Sequence, residues 1–221
     1  MVDYRKFRPS LLGTKEFVHL KLLFFWPVYG IAFLLLERVL PLNFHEVYCP
    51  LDDLIPFCEY FIIPYYMWFV YLIGMIIYLG LVDIPNFRKY MWFIIISYSV
   101  TVVIYLVYPT CQNLRPVSFE RDNIFTRIAA GLYSFDTNTN VCPSIHVLGM
   151  AASFCAGLSA KGMQSVPWKI FWWVSLILVC VSTVFLKQHS VIDIAAGAVL
   201  SFITYIIVYK TKLFSEEETS A

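Results

Sequence analysis

Residues 61–82 read FIIPYYMWFVYLIGMIIYLGLV, without one charged side chain. A helix needs about 20 mostly apolar residues to cross a hydrocarbon core about 30 Å thick, so this stretch is the right length and chemistry for a membrane span. Working outward from it, residues 17–36, 90–108, 144–160, 170–186 and 190–209 have the same character. The composition agrees: 60% of the residues are hydrophobic and 14% charged, against about 25% charged in soluble domains. A soluble chain could not hide so many Phe, Tyr, Ile and Leu side chains without a large apolar surface.

These six stretches predict an all-α integral membrane protein, a bundle of six transmembrane helices with a long outer loop between helices three and four. The expected organisation is an N-terminal cytoplasmic segment over 1–16, one membrane domain over 17–210 and a disordered cytoplasmic tail over 211–221. The first apolar run follows a basic stretch, but no A-x-A site comes after it, so it reads as a retained anchor and not a cleaved signal. Pro27 and Pro64 lie inside spans one and two and predict kinks there.

Six spans put both termini on one side. Counting Lys and Arg by face then gives eleven on the terminal side, from Arg5 to Lys21 and at Arg88, Lys89, Lys161, Lys169, Lys210 and Lys212. The other face has five: Arg38, Arg115, Arg121, Arg127 and Lys187. The positive-inside rule places the fuller side in the cytoplasm. The net charge of +1 and pI near 7.6 provide no basic field for nucleic acid. The six cysteines form no C-x-x-C pair, which speaks against a zinc site, while Cys49, Cys58, Cys111 and Cys142 share the outer face, where oxidation to disulfides is open.

Asp193 stands within the sixth span, and an aspartate at the membrane centre costs about 2.5–3.5 kcal/mol. His189, four residues earlier, falls on the same helix face, so the carboxylate can orient the imidazole and leave its far nitrogen free as a nucleophile. His146 opens the fourth span on the same side, just after Cys142, Pro143 and Ser144. Gly149, Ser153 and Gly157 on that span, and Gly197 and Ser201 on the sixth, would let the two helices pack closely and bring both histidines to one cleft. Arg115 and Lys187 lie nearby in the expected topology and suit a phosphate anion, with Ser144 and the N–H groups that open span four. In the outer loop, residues 109–141, Ile124, Phe125, Ile128, Ala129 and Leu132 share one helical face, as in a helix lying at the membrane surface.

Taken together, these residues resemble the type 2 phosphatidic acid phosphatase superfamily, whose pattern is K-x6-R-P, P-S-G-H and S-R-x5-H-x3-D. Pro143, Ser144 and His146 match the second motif, and Ser182, His189 and Asp193 the third. Arg115 and Pro116 keep only the end of the first. Tyr108 stands at the lysine position, Ile145 at the glycine and Thr183 at the arginine of the third motif. The strings CPSIHV and KQHSVID look like the inositol phosphorylceramide synthase branch, which transfers headgroups. The resemblance implies an outward-facing site with His189 as nucleophile through a phosphohistidine, Asp193 as its orienting carboxylate and His146 as general acid. The expected partners are a lipid phosphate substrate and the bilayer, with no cofactor and no metal in the scheme. A non-catalytic transporter or scaffold is the reading from another class, in which the same residues serve proton movement or helix cohesion.

Overall fold

The structure, a computed structural model, describes residues 2–40 and 43–214. Its α-helices are α1 (Phe25–Arg38), α2 (Leu51–Leu54), α3 (Ile62–Val82), α4 (Ile84–Val107), α5 (Ile124–Phe135), α6 (Ile145–Ser159), α7 (Val166–Phe185) and α8 (Val191–Tyr205). Tighter 3-10 turns over Val18–Phe24 and Glu59–Phe61 lead into α1 and α3, and a wider π turn over Ile206–Lys210 prolongs α8. With these extensions, five helices are long and apolar enough to cross a membrane: Val18–Arg38, Glu59–Val82, Ile84–Val107, Val166–Phe185 and Val191–Lys210. They fall on five of the six stretches expected from sequence.

The remaining stretch, 144–160, is α6. Its 15 residues rise about 22 Å, short of a hydrocarbon core of about 30 Å. α6 packs against α3, α4, α7 and α8. Its buried residues include Val147, Leu148, Met150, Ala152 and Ala156, which point in several directions around the axis. A helix apolar all round belongs in the middle of a bundle, and that is where this one stands.

Two sequence expectations change. Pro27 and Pro64 are each the third residue of their helices. Each stands where a 3-10 turn passes into the α-helix, near the helix start where proline is tolerated, and so outside the interior of the α-helical segment. The small-residue stripes do not face each other along their length. Gly197 of α8 does meet α6, where an added Cβ would lie 3.0 Å from Val147 Cβ and 3.2 Å from the Ser144 carbonyl. Gly149 instead makes room for Tyr98 and Trp68, and Gly157 for Trp172. On α6 the glycines seat aromatic rings of α3, α4 and α7.

α4 also begins earlier than its apolar run. Asp83 alone joins α3 to α4, and its carboxylate accepts hydrogen bonds from Asn86 Nδ2 at 2.7 Å and from the Lys161 backbone N–H at 2.9 Å. The charged pair Arg88 and Lys89 hid this first turn from a hydropathy reading.

The connections at the histidine end are tied together. Strand β1 (His45–Glu46) pairs in parallel with β2 (Thr110–Cys111), and Cys111 bridges to Thr139. α5 starts with a capping box between Asn123 and Thr126. It packs through Phe125, Ala129 and Leu132 onto Ile62, Tyr65 and Leu186, but Ile124 and Ile128 of the expected face are exposed. All six cysteines are free thiols, Cys49, Cys58, Cys111 and Cys142 included. At the other end of the bundle Tyr4 donates to the Gly80 carbonyl, and Lys89 lies 5.9 Å from the centre of the Tyr209 ring. The first and last described segments therefore pack at the end away from the histidines; residues 215–221 of the expected tail lie outside the described residues.

Candidate active site

Two helix starts make the site. Ser144 is the N-cap of α6, and its backbone N–H donates to the Asp193 carbonyl at 3.2 Å, which fixes the start of α6 against the first turn of α8. The Tyr105 hydroxyl donates to the Pro143 carbonyl at 2.7 Å, and Tyr98 to the Ile145 carbonyl at 3.3 Å. His146 then projects between Tyr65 and Trp68, with ring centroids 4.5 and 4.6 Å away.

At α8, Ser190 is the N-cap and Asp193 the third helical residue, so the pair forms a capping box. Asp193 Oδ2 accepts from the Ser190 backbone N–H at 2.9 Å and from His189 Nδ1 at 3.1 Å. One carboxylate oxygen thus caps the helix and orients the imidazole. That double duty explains the spacing His189-x3-Asp193 with a serine directly after the histidine.

The turn before α8 is held from several sides. Lys187 has a left-handed backbone, with φ of 53°. The Gln188 and His189 N–H groups both donate to the Thr183 carbonyl, at 2.9 and 3.2 Å. Gln112 Nε2 donates to the Lys187 carbonyl at 2.9 Å, and the Tyr133 hydroxyl to that of Leu186 at 2.7 Å. From the α1–α3 connection, Asp52 accepts from Ser190 Oγ at 2.7 Å and from the Val191 N–H at 2.8 Å.

This scaffold brings His146, His189 and Asp193 together. His146 Nδ1 stands 3.2 Å from His189 Nε2. With Nδ1–H of His189 donated to Asp193, its Nε2 is the lone-pair nitrogen, and in the relay it can only accept from His146 Nδ1–H. Both imidazoles are 6% exposed and Asp193 is fully buried. The arrangement supplies one oriented nucleophilic nitrogen and one proton carrier in contact with it, the pair of functions that group transfer requires.

The other expected residues sit differently. Arg115 turns its guanidinium to the carbonyls of Asp136 at 2.9 Å and Thr137 at 2.8 Å, and to Gln188 Oε1 at 2.5 Å, while lying 4.7 Å from the Tyr133 ring centre. Lys187 Nζ donates to the Asp52 carbonyl at 2.7 Å. The Ser144 hydroxyl is buried with no partner among the described residues. The cavity beside the histidines, about 30 Å³, is lined by Phe33, Asp136, Asn140 and Gln188 together with Thr137, Thr139 and the two imidazoles. Among the described residues, no lysine or arginine lines it.

Sequence reading passed over the acidic and amide groups here. Asp136 lies beside the Tyr65 hydroxyl; burial lifts its carboxyl above the usual carboxylate range, and the nearby His189 and Arg115 pull the other way. Glu37, at the end of α1, accepts from Asn140 Nδ2 at 2.9 Å and Thr139 Oγ1 at 3.2 Å. An acid inside the last turn of a span was a usable signal for Glu37. Asp136 and Asn140 belong to the polar run DTNTN, which is ordinary loop chemistry until the fold closes it over His146.

The family model described as PAP2 superfamily matches residues 86–216, from the first turn of α4 past the end of α8. No curated protein and no solved structure matches the chain.

Proposed function

The chain belongs to the PAP2 superfamily, and on that premise we propose that it is an integral membrane enzyme that hydrolyses phosphate monoesters or diphosphates of lipids through a phosphohistidine. The observation that carries this reading is the unbroken relay from Asp193 through His189 to His146, with both links between 3.1 and 3.2 Å.

In the proposed cycle, His189 Nε2 attacks phosphorus in line, an N–P bond forms and the P–O bond to the leaving group breaks. His146, entering the step as imidazolium, gives one proton to the departing oxygen and becomes neutral, and Asp193 stabilises the positive charge that grows on His189. Water then attacks the phosphohistidine, His146 takes its proton, and the N–P bond breaks. The hydroxyl of Ser144 and the free N–H groups opening α6 are suited to the non-bridging oxygens. No step draws on a metal or cofactor.

Because the histidines are already in hydrogen-bond contact, phosphate has to enter by parting them. The lipid part of the reading draws support from a second cavity of about 530 Å³ between α6, α7 and α8, lined by Val147, Ala151, Phe154, Ala198 and Phe202 among other apolar side chains. Its size is that of an ordinary small-molecule pocket, and Val147 follows His146 in the chain. All six apolar helices cross the membrane in this reading, the short α6 at the centre. Both termini are cytoplasmic, and the histidines open to the opposite face, in line with the distribution of Lys and Arg.

A second reading, transfer of a phosphorylated headgroup to an alcohol of another lipid, is favoured by the cavity wall. Asp136 and the missing cations suit a singly charged phosphodiester better than a doubly charged monoester. The two readings share the phosphohistidine and differ in the acceptor. Radiolabelled substrate quenched in alkali should leave acid-labile phosphate on wild-type protein and none on His189→Ala. Free phosphate as product supports hydrolysis, and label on a second lipid supports transfer. Full turnover by His189→Ala defeats both.

A further inference from the structure

Gln188 directly precedes the proposed nucleophile, and its side chain has only one way to lie. Arginine carries donors and no acceptor, so the atom facing Arg115 at 2.5 Å must be the amide oxygen. The Nε2 group, with two N–H donors, is then directed away from Arg115. It is buried and has no partner among the described residues, and Gln188 is 3% exposed on the wall of the cavity that holds His146 and His189. A buried donor left unpaired costs about 1–3 kcal/mol unless something fills the place. On the same cavity wall, Oδ1 of Asn140 is buried and, among the described residues, unpartnered as well.

The backbone leaves Gln188 little freedom. Its N–H donates to the Thr183 carbonyl, and the carbonyls of Leu186 and Lys187 are held by Tyr133 and Gln112. Arg115, held in turn by the carbonyls of Asp136 and Thr137, fixes the amide rotation. We propose that Gln188 Nε2 is an oxyanion ligand of this site, donating to a non-bridging phosphate oxygen beside His189, and that Arg115 acts as a positioning residue through Gln188. The inference rests on the reading of His189 as the atom that meets phosphorus. It assigns to a neutral amide the contact for which this cavity has no cation, with a guanidinium behind the amide that polarises its N–H bonds toward the ligand.

Gln188→Glu separates this role from a structural one. A glutamate still accepts from Arg115, and more strongly, so a residue needed only to tie down the outer loop is well replaced by it. A ligand is not, because the atom facing the phosphate turns from donor to acceptor. The full chain in detergent is titrated with inorganic vanadate, followed by the shift in melting temperature, for wild type, Gln188→Glu and Gln188→Ala. The expected result is that vanadate affinity falls about ten- to a hundredfold in Gln188→Glu, by less in Gln188→Ala, while the vanadate-free melting temperature of Gln188→Glu matches wild type. Equal vanadate affinity in wild type and Gln188→Glu overturns the ligand role and leaves the phosphohistidine reading standing. A wild-type protein without vanadate affinity, under conditions where it turns over no lipid phosphate, overturns both.

Discussion

At His189 two hydrogen bonds of similar length do different jobs: the one to Asp193 sets which nitrogen carries the proton, and the one to His146 occupies the nitrogen that attacks in the proposed cycle. Asp193→Asn leaves a group of the same shape but removes the preference for Nδ1–H. We expect kcat to fall by about 10³–10⁴, as for a triad aspartate, with steady-state turnover as the measure; a loss under tenfold would contradict the tautomer role. Asp136 gives a pH signature. Its buried carboxyl takes up a proton above the usual carboxylate range, so as pH rises through that window an anion appears on the cavity wall. KM for an anionic substrate should rise across it, and the step should vanish in Asp136→Asn; KM profiles of the two proteins that coincide would exclude it. His146, His189 and Asp193 could be read from spacing because a helix turns each interval into a direction. Gln188, Asp136 and Asn140 could not, since their meaning depends on which carbonyls close around Arg115, and no periodicity encodes that.

Helices α6 and α8 hold the relay at the right separation through close contacts that include the Ser144 N–H on the Asp193 carbonyl and Val147 on Gly197. Gly197→Ala sets a Cβ 3.0 Å from Val147 and 3.2 Å from a backbone oxygen, a contact that only movement of a helix can relieve. The expected cost is about 1–3 kcal/mol in stability, with a larger fractional loss in kcat than in KM, because the shift moves one histidine relative to the other. Thermal melting and kinetics on Gly197→Ala check both. Asp52→Ala should be destabilising to a like extent, since it strands the buried Ser190 hydroxyl and the Val191 N–H at the start of α8. The spans themselves were legible, because lipid demands length and apolarity together and few other environments do. Their partners were not. Gly149 and Gly157 look like a helix-pairing stripe in sequence, yet they seat Trp68, Tyr98 and Trp172, since a small residue marks a close approach without saying whose.

Across the whole molecule, a polar end carrying the relay sits above an open-sided cavity of about 530 Å³ lined by α6, α7 and α8. A lipid tail leaving the bilayer for this cavity gains little from the hydrophobic effect, because hydrocarbon outside is as apolar as the side chains inside. Selectivity among tails therefore has to come from fit. Ala198 of α8 lines the cavity away from His189 and Asp193, and Ala198→Phe adds a ring to its wall. If the tail lies there, the ring competes with it for volume at an overpacking cost of about 1–3 kcal/mol, roughly five- to 150-fold in relative kcat/KM. The ratio of kcat/KM for a long-chain lipid phosphate to that for a short-chain, water-soluble phosphate ester should fall by that factor. The short-chain value should hold near wild type, because the two imidazoles and Asp193 keep their contacts. A ratio that stays constant while both values drop would mean that the ring has disturbed the bundle, and a ratio that stays constant with both values intact would place the tail elsewhere on the protein.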